Sequence, residues 1–127
     1  MKRVYIVVEG RNDAAALRRI LPPAITEKCN FVVGNGKSSA ISDARTILAM
    51  SREPLVLVVD ADDNDINRVE EQRKTLNQLL QSAASGTPCS VFLAVPNMDV
   101  VMENRGPVNQ MPIVKQIVEF VRSLPNE

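Results

Sequence analysis

Carboxylates are the side chains of this sequence best placed to do chemistry. They fall in two groups: Glu9 and Asp13 in VEGRND (8–13), and Asp60, Asp62, Asp63 and Asp65 in VVDADDND (58–65). Acids two or three residues apart repel unless a bound cation, a shared proton or water relieves them, and hard divalent ions take oxygen ligands of this kind. The chain has no histidine. That removes Ser-His-Asp and Cys-His catalysis, histidine-ligated zinc and imidazole proton transfer, and leaves carboxylate, lysine or metal-bound water for acid–base work. Cys29 and Cys89 each begin an apolar run with no second cysteine nearby, so both read as core or near-core thiols.

Each acidic group follows an apolar run that reads as a strand. Leu55 to Asp60, rich in β-branched residues, suits a central parallel strand covered on both faces. If its extended geometry persists through Ala61, Asp60 and Asp62 project to the same side. Val4–Val8, Asn30 to Val33 with Cys29, and Ser90 to Val95 supply three more strands. Helical spacing fills the intervals. The first helix has Asn12 or Asp13 as cap and ends at Pro22-Pro23. The second follows the turn Gly34-Asn35-Gly36, with Ser38 or Ser39 as cap and a stripe of Ile41, Ala44, Ile47 and Leu48. The third has Asn67 and Glu70 in capping-box register and a stripe of Val69, Leu76, Leu79, Leu80 and Ala83. The last opens at Pro112 and docks through Ile113, Ile117, Phe120, Val121 and Leu124. Residues 97–111 read as an irregular loop, in which Asp99 and Glu103 face together if it contains a helical turn.

This order predicts one domain over the 127 residues: an α/β, compact Rossmann-like sandwich of about four mainly parallel strands flanked by helices. Ligands of such sheets bind outside the carboxyl ends of the strands. Right-handed crossovers bring Glu9 to Asp13, Gly34 to Lys37, Asp60 to Asp65 and the loop after Val95 to that edge. Fifteen basic and fifteen acidic residues cancel, so binding to a polyanion must come from a local patch or a metal. Tyr5 is the only tyrosine and tryptophan is absent, which leaves little aromatic surface for stacking bases. No apolar run has the length of a membrane span or signal peptide, so a cytoplasmic protein without a membrane partner is expected.

The two acidic motifs, in this order and on these strand ends, resemble the Toprim domain family of topoisomerases, bacterial primases, small nucleases and recombination proteins. Glu9-Gly10 with Asp13 matches the family's glutamate motif after strand one, and Asp60 with Asp62 its Asp-x-Asp after strand three. The turn GNGK at 34–37 looks like the family's glycine-containing turn after strand two. The resemblance implies Mg2+-dependent phosphodiester chemistry on DNA or RNA, with Mn2+ able to substitute. Asp60 and Asp62, with Glu9 and Asp13, would hold metal; Glu9 would be the general acid or base and Lys37 a catalytic phosphate ligand. Gly10, Arg11 and Gly36 would join Lys37 in binding phosphate or nucleic acid, and Asp99 and Glu103 are possible additional acids. The length leaves no room for a topoisomerase's strand-holding domains or a primase's zinc module. A small stand-alone Toprim protein remains, resembling ribosomal-RNA maturation nucleases or the Toprim part of overcoming-lysogenization-defect nucleases, with a partner protein or homo-oligomer supplying what is missing.

Three other readings compete. The same domain can serve as a non-catalytic binding or assembly module in recombination or repair. A receiver-like signalling domain would use Glu9 for Mg2+ and Asp60 as phosphoacceptor, but needs a fifth strand ending in lysine. A P-loop reading of Gly36-Lys37-Ser38 fails because Phe31 stands where the motif's first glycine belongs. Helix capping accounts for any one of these acids at about 0.3–1 kcal/mol, yet it does not require Asp60.

Overall fold

The computed structural model describes residues 3–103, 107 and 111–125. In chain order the elements are β1 (Val4–Val8), α1 (Arg11–Ile20), α2 (Pro23–Thr26), β2 (Cys29–Val33), α3 (Lys37–Ser51), β3 (Leu55–Asp60), α4 (Ile66–Ala84), β4 (Cys89–Ala94), α5 (Met98–Glu103) and α6 (Pro112–Arg122). The strands form one parallel sheet in the order β2-β1-β3-β4. With helices on both faces, this is an α/β Rossmann-like sandwich.

The two central strands carry the apolar runs because both of their faces are covered. Leu55 to Val59 are all buried, and alternate residues feed two separate cores. Ile6, Val56 and Val58 meet Leu17 and Ile20 of α1 and Ile117 of α6 on one face. Val7, Leu57 and Val59 meet Ala44 and Leu48 of α3 and Leu80 of α4 on the other. Among the described residues no helix is long and apolar enough to cross a membrane.

Several local expectations give way to tertiary context. Pro22-Pro23 ends α1 but also starts the single turn α2, where Pro23 occupies a first position that needs no amide proton. The start of the 97–111 loop is the helix α5, with Asn97 Oδ1 accepting the Val100 N–H at 2.9 Å. Asp65, not Asn67, caps α4. Gly36 precedes α3 with no side-chain cap, and Gly10 precedes α1 with Asp13 three residues on. Along α4 the packed stripe is Leu76, Leu80 and Ala84, while Leu79 is 36% exposed.

Gly34 brings α3 close to the end of β2. Its N–H continues the sheet by reaching Val8 C=O at 2.8 Å, and a Cβ there would lie 2.9 Å from the Ala40 nitrogen and 3.0 Å from its Cα. Those are helix backbone atoms, which cannot turn aside as a flexible side chain would. Gly34→Ala is expected to cost about 1–3 kcal/mol, read as a lower urea midpoint at unchanged m-value. An unchanged midpoint would mean that α3 shifts freely on the sheet.

Candidate functional site

The parallel ladder explains how Glu9 comes to hold β3. Tyr5 N–H bonds Pro54 C=O at 2.9 Å, and with Tyr5 opposite Leu55 the alternation would next bring the Asp60 N–H to the Glu9 C=O. β1 has ended by then, and the Glu9 C=O accepts instead from Gly36 N–H at 3.1 Å. The vacant place is taken by the Glu9 side chain, whose Oε2 accepts the Asp60 N–H at 2.6 Å. A carboxylate is thereby locked against the end of the neighbouring strand.

Two more acids are fixed the same way. Asp60 Oδ1 accepts the Met98 N–H at the start of α5, 2.8 Å, and Asp13 Oδ2 accepts the Gly10 N–H, 3.1 Å. Glu9, Asp13 and Asp60 thus each use one oxygen on a backbone donor, and their other oxygens have no hydrogen-bond partner among the described residues.

Burial is the first cause that raises the proton affinity of all three above the ordinary carboxylate range. Mutual repulsion adds to it. The Asp60 charge acts on Glu9 and Asp13, Asp62 acts on Glu9 and Asp60, and Asp99 acts on Asp13 and Asp60. Backbone hydrogen bonds at each acid, and Lys37 at Glu9 and Asp60, pull the other way without prevailing.

Gly36, at φ +91°, supports the turn that sets Lys37 as the first residue of α3. Lys37 Nζ donates to Asp62 Oδ2 at 3.0 Å and to Gln72 Oε1 at 3.2 Å, and Gln72 Nε2 donates in turn to Ala61 C=O at 3.0 Å. The extended geometry does not persist past Ala61. Asp62 is left-handed, φ 56°, with its N–H on Pro96 C=O, and its side chain, 64% exposed, faces Lys37. Asp62 therefore arrives as a salt-bridged acid at the rim and not as the twin of Asp60.

The remaining acids of the second motif serve the helix. Asp65 Oδ1 accepts the Asn67 and Arg68 N–H groups, both at 3.0 Å, and Asp63 pairs with Arg68 Nε at 2.6 Å. That bond holds the Asp63 carboxyl down at about 2. Asp99, exposed on α5, adds its charge to the cluster, whereas Glu103 at the end of α5 enters none of its interactions. Arg11 begins α1, exposed and without an ion-pair partner among the described residues. Gln72 and the Met98 N–H are parts of the cluster that sequence reasoning misses. Asn97 ahead of an apolar stretch was a legible cap signal for the second, and nothing local marks Gln72.

Among the described residues no group of three acids or thiols is arranged to hold a metal ion. Mg2+ does not require one: it is commonly bound by one or two carboxylates and completes its octahedron with water and phosphate oxygens. The free oxygens of Glu9, Asp13 and Asp60 are hard donors short of positive charge, so the donor set fits such an ion. The fifth strand that a receiver needs is absent among the described residues.

The raised acids make a signed prediction. Their folded proton affinity exceeds that of the unfolded chain, so the folded state binds more protons and stability falls as pH rises through and above about 4. Asp60→Asn keeps an acceptor for Met98 and removes the central charge. It is expected to melt higher than the wild type at pH 7 in the absence of divalent ions, with the advantage vanishing near pH 4. A difference in melting temperature that is independent of pH would refute the repulsion. Comparison with family models, curated proteins and solved structures found no match to this chain.

Proposed function

We propose that this protein carries out Mg2+-dependent phosphodiester chemistry on nucleic acid, as a small cytoplasmic nuclease or the nuclease subunit of a larger assembly. The observation that carries the reading is the set Glu9, Asp13 and Asp60 at the carboxyl edge of a parallel sheet, each with one oxygen fixed, one oxygen free and its proton affinity raised. The Toprim resemblance of the same residues supports it, and two unpaired cysteines accord with a reducing compartment.

Asp60, with Glu9 or Asp13, would hold Mg2+, which supplies charge for the phosphate oxygens and a more acidic water. Glu9 would be the general base, and burial, with the charges of Asp60 and Asp62, raises its proton affinity in the direction that role requires. Its bond to Asp60 N–H fixes the oxygen that does not react. Lys37, oriented by Gln72, would present its ammonium to a phosphate at the rim, and Arg11, exposed at the head of α1, would offer a second cation to nucleic acid. The alternative, a non-catalytic binding or assembly module, draws on the lack of a three-acid cage among the described residues and on Lys37 being paired with Asp62.

Calorimetric titration with Mn2+ and Mg2+ tests the site, followed on the same sample by nicking of plasmid DNA and cleavage of structured RNA. Asp60→Asn combined with Asp62→Asn is expected to abolish binding while the fold remains. Glu9→Gln retains the acceptor for Asp60 N–H and is expected to lose about 10²–10⁴-fold in cleavage. Unchanged Mn2+ affinity in the double variant would sink the site; metal binding without cleavage by the wild type would leave the assembly module.

A further inference from the structure

The two outer strands of the sheet are protected very differently. In β4, Cys89 and Val91 are buried, whereas β2 has no buried residue from Cys29 to Val33, and Val33 is 42% exposed. Hydrogen-bond parity fixes which groups β2 offers. Val4 N–H takes Lys28 C=O at 2.9 Å and Gly34 N–H takes Val8 C=O at 2.8 Å. With Val4 opposite Cys29 and Val8 opposite Val33, residues 28, 30, 32 and 34 bond to β1. The N–H and C=O groups of Cys29, Phe31 and Val33 point away from the sheet, with no backbone partner elsewhere among the described residues.

An open edge of this kind is ordinarily blunted by lysine, proline, a bulge or an inward charge. The run CNFVV has none of these. Its open groups are also self-complementary. In an antiparallel pairing about Phe31, that residue exchanges both bonds with Phe31 of a second copy, and Cys29 and Val33 exchange theirs with each other across the axis. This is the hydrogen-bonded class of antiparallel pair at each position. Along the strand the flanks agree, since Lys28 falls opposite Gly34 and Glu27 opposite Asn35, and the charge nearest the axis is Arg18, stacked over the Phe31 ring at 4.7 Å.

We infer that β2 is a homodimer edge: two copies of this chain pair antiparallel through Cys29, Phe31 and Val33, with a two-fold axis at Phe31, to make one sheet continuous across both. Such a contact is isologous and closes on itself, which caps the exposed edge instead of propagating it. The carboxyl edges of the two sheets then point in opposite directions, so each copy works with its own acid cluster. The inference does not depend on metal binding.

Light scattering on a sizing column over a dilution series tests it, together with two variants at Val33. Val33→Pro removes an outward N–H and no bond of the β1–β2 ladder, a place where an edge strand tolerates proline. In Val33→Cys the introduced thiol would face Cys29 of the second copy, at the roughly 5.5 Å Cα separation of a hydrogen-bonded pair, inside the Cα range a disulfide spans though with its Cβ atoms at the long end of that geometry. The expected results are a concentration-dependent mass of two chains for the wild type and a folded monomer for Val33→Pro. Diamide, which takes up the two electrons and two protons released, should join the introduced thiol to Cys29 in a covalent dimer, located by peptide mapping. A wild-type chain that stays monomeric throughout leaves the edge to an extended segment of another protein and overturns the inference. So does a dimer that survives Val33→Pro without the cross-link, or open-ended association. Asp60→Asn should leave the dimer untouched, which separates this outcome from failure of the metal site.

Discussion

The bond from Asp60 N–H to the Glu9 carboxylate is the constraint on which the carboxyl edge of the sheet depends. A parallel ladder must end somewhere, and where β1 turns away into α1 the next donor on β3 loses its backbone acceptor. A buried or half-buried N–H left alone costs about 1–3 kcal/mol. Glu9 answers that need with a side chain, while its own carbonyl is committed to Gly36 in the turn before α3. One residue thus joins the ends of three strands: β1 that it follows, β2 through Gly36, and β3 through Asp60. Lys37, Asp62 and Gln72 take their places from that junction.

Much of this was legible in the sequence, because the strongest signals are those that burial enforces. Leu55 to Val59 could only be a strand covered on both faces, and the order of apolar runs fixed the parallel sheet with its acids on one edge. The failures lie where a local signal competes with a partner distant in sequence. Asp62 matches a motif two residues from Asp60, yet its backbone turns left-handed because Pro96 takes its N–H and Lys37 its carboxylate. Spacing along a strand cannot foresee that. For Met98 the only local sign was the Asn97 cap, because α5 has six residues, too few to show a period. Gln72 gains its role from a turn of chain that ends eleven residues earlier.

The fold itself asks only for acceptors at these positions. A neutral amide at 9, 13 or 60 could receive the same N–H groups from Asp60, Gly10 and Met98, without the burial of charge and the repulsion that raise all three acids. The capping explanation is sufficient for Asp65, which bonds two helix amides, and ion pairing is sufficient for Asp63. Neither accounts for three half-buried acids, of which only Glu9 and Asp60 feel the partly engaged Lys37. Their charge is a cost in the folded chain, and it becomes an advantage only when something positive is bound there. That is the physical content of the metal-dependent reading we propose.

Beside the lack of a three-acid cage among the described residues, the pairing of Lys37 argues against it, since a phosphate ligand already held by a carboxylate must first be released. The exposures decide the matter: the Lys37 side chain is 28% exposed and that of Asp62 64%. Ion pairs so exposed contribute about 0–1 kcal/mol, so releasing Asp62 would cost little. Gln72 meanwhile keeps hold of the ammonium from the other side, anchored to Ala61 C=O. An ammonium has three donors, so Lys37 can retain Gln72, relinquish Asp62 and meet a phosphate without changing its place at the head of α3. In the proposed reading the Asp62 salt bridge would be a weak occupant of the rim that holds the lysine in position until a phosphate displaces it.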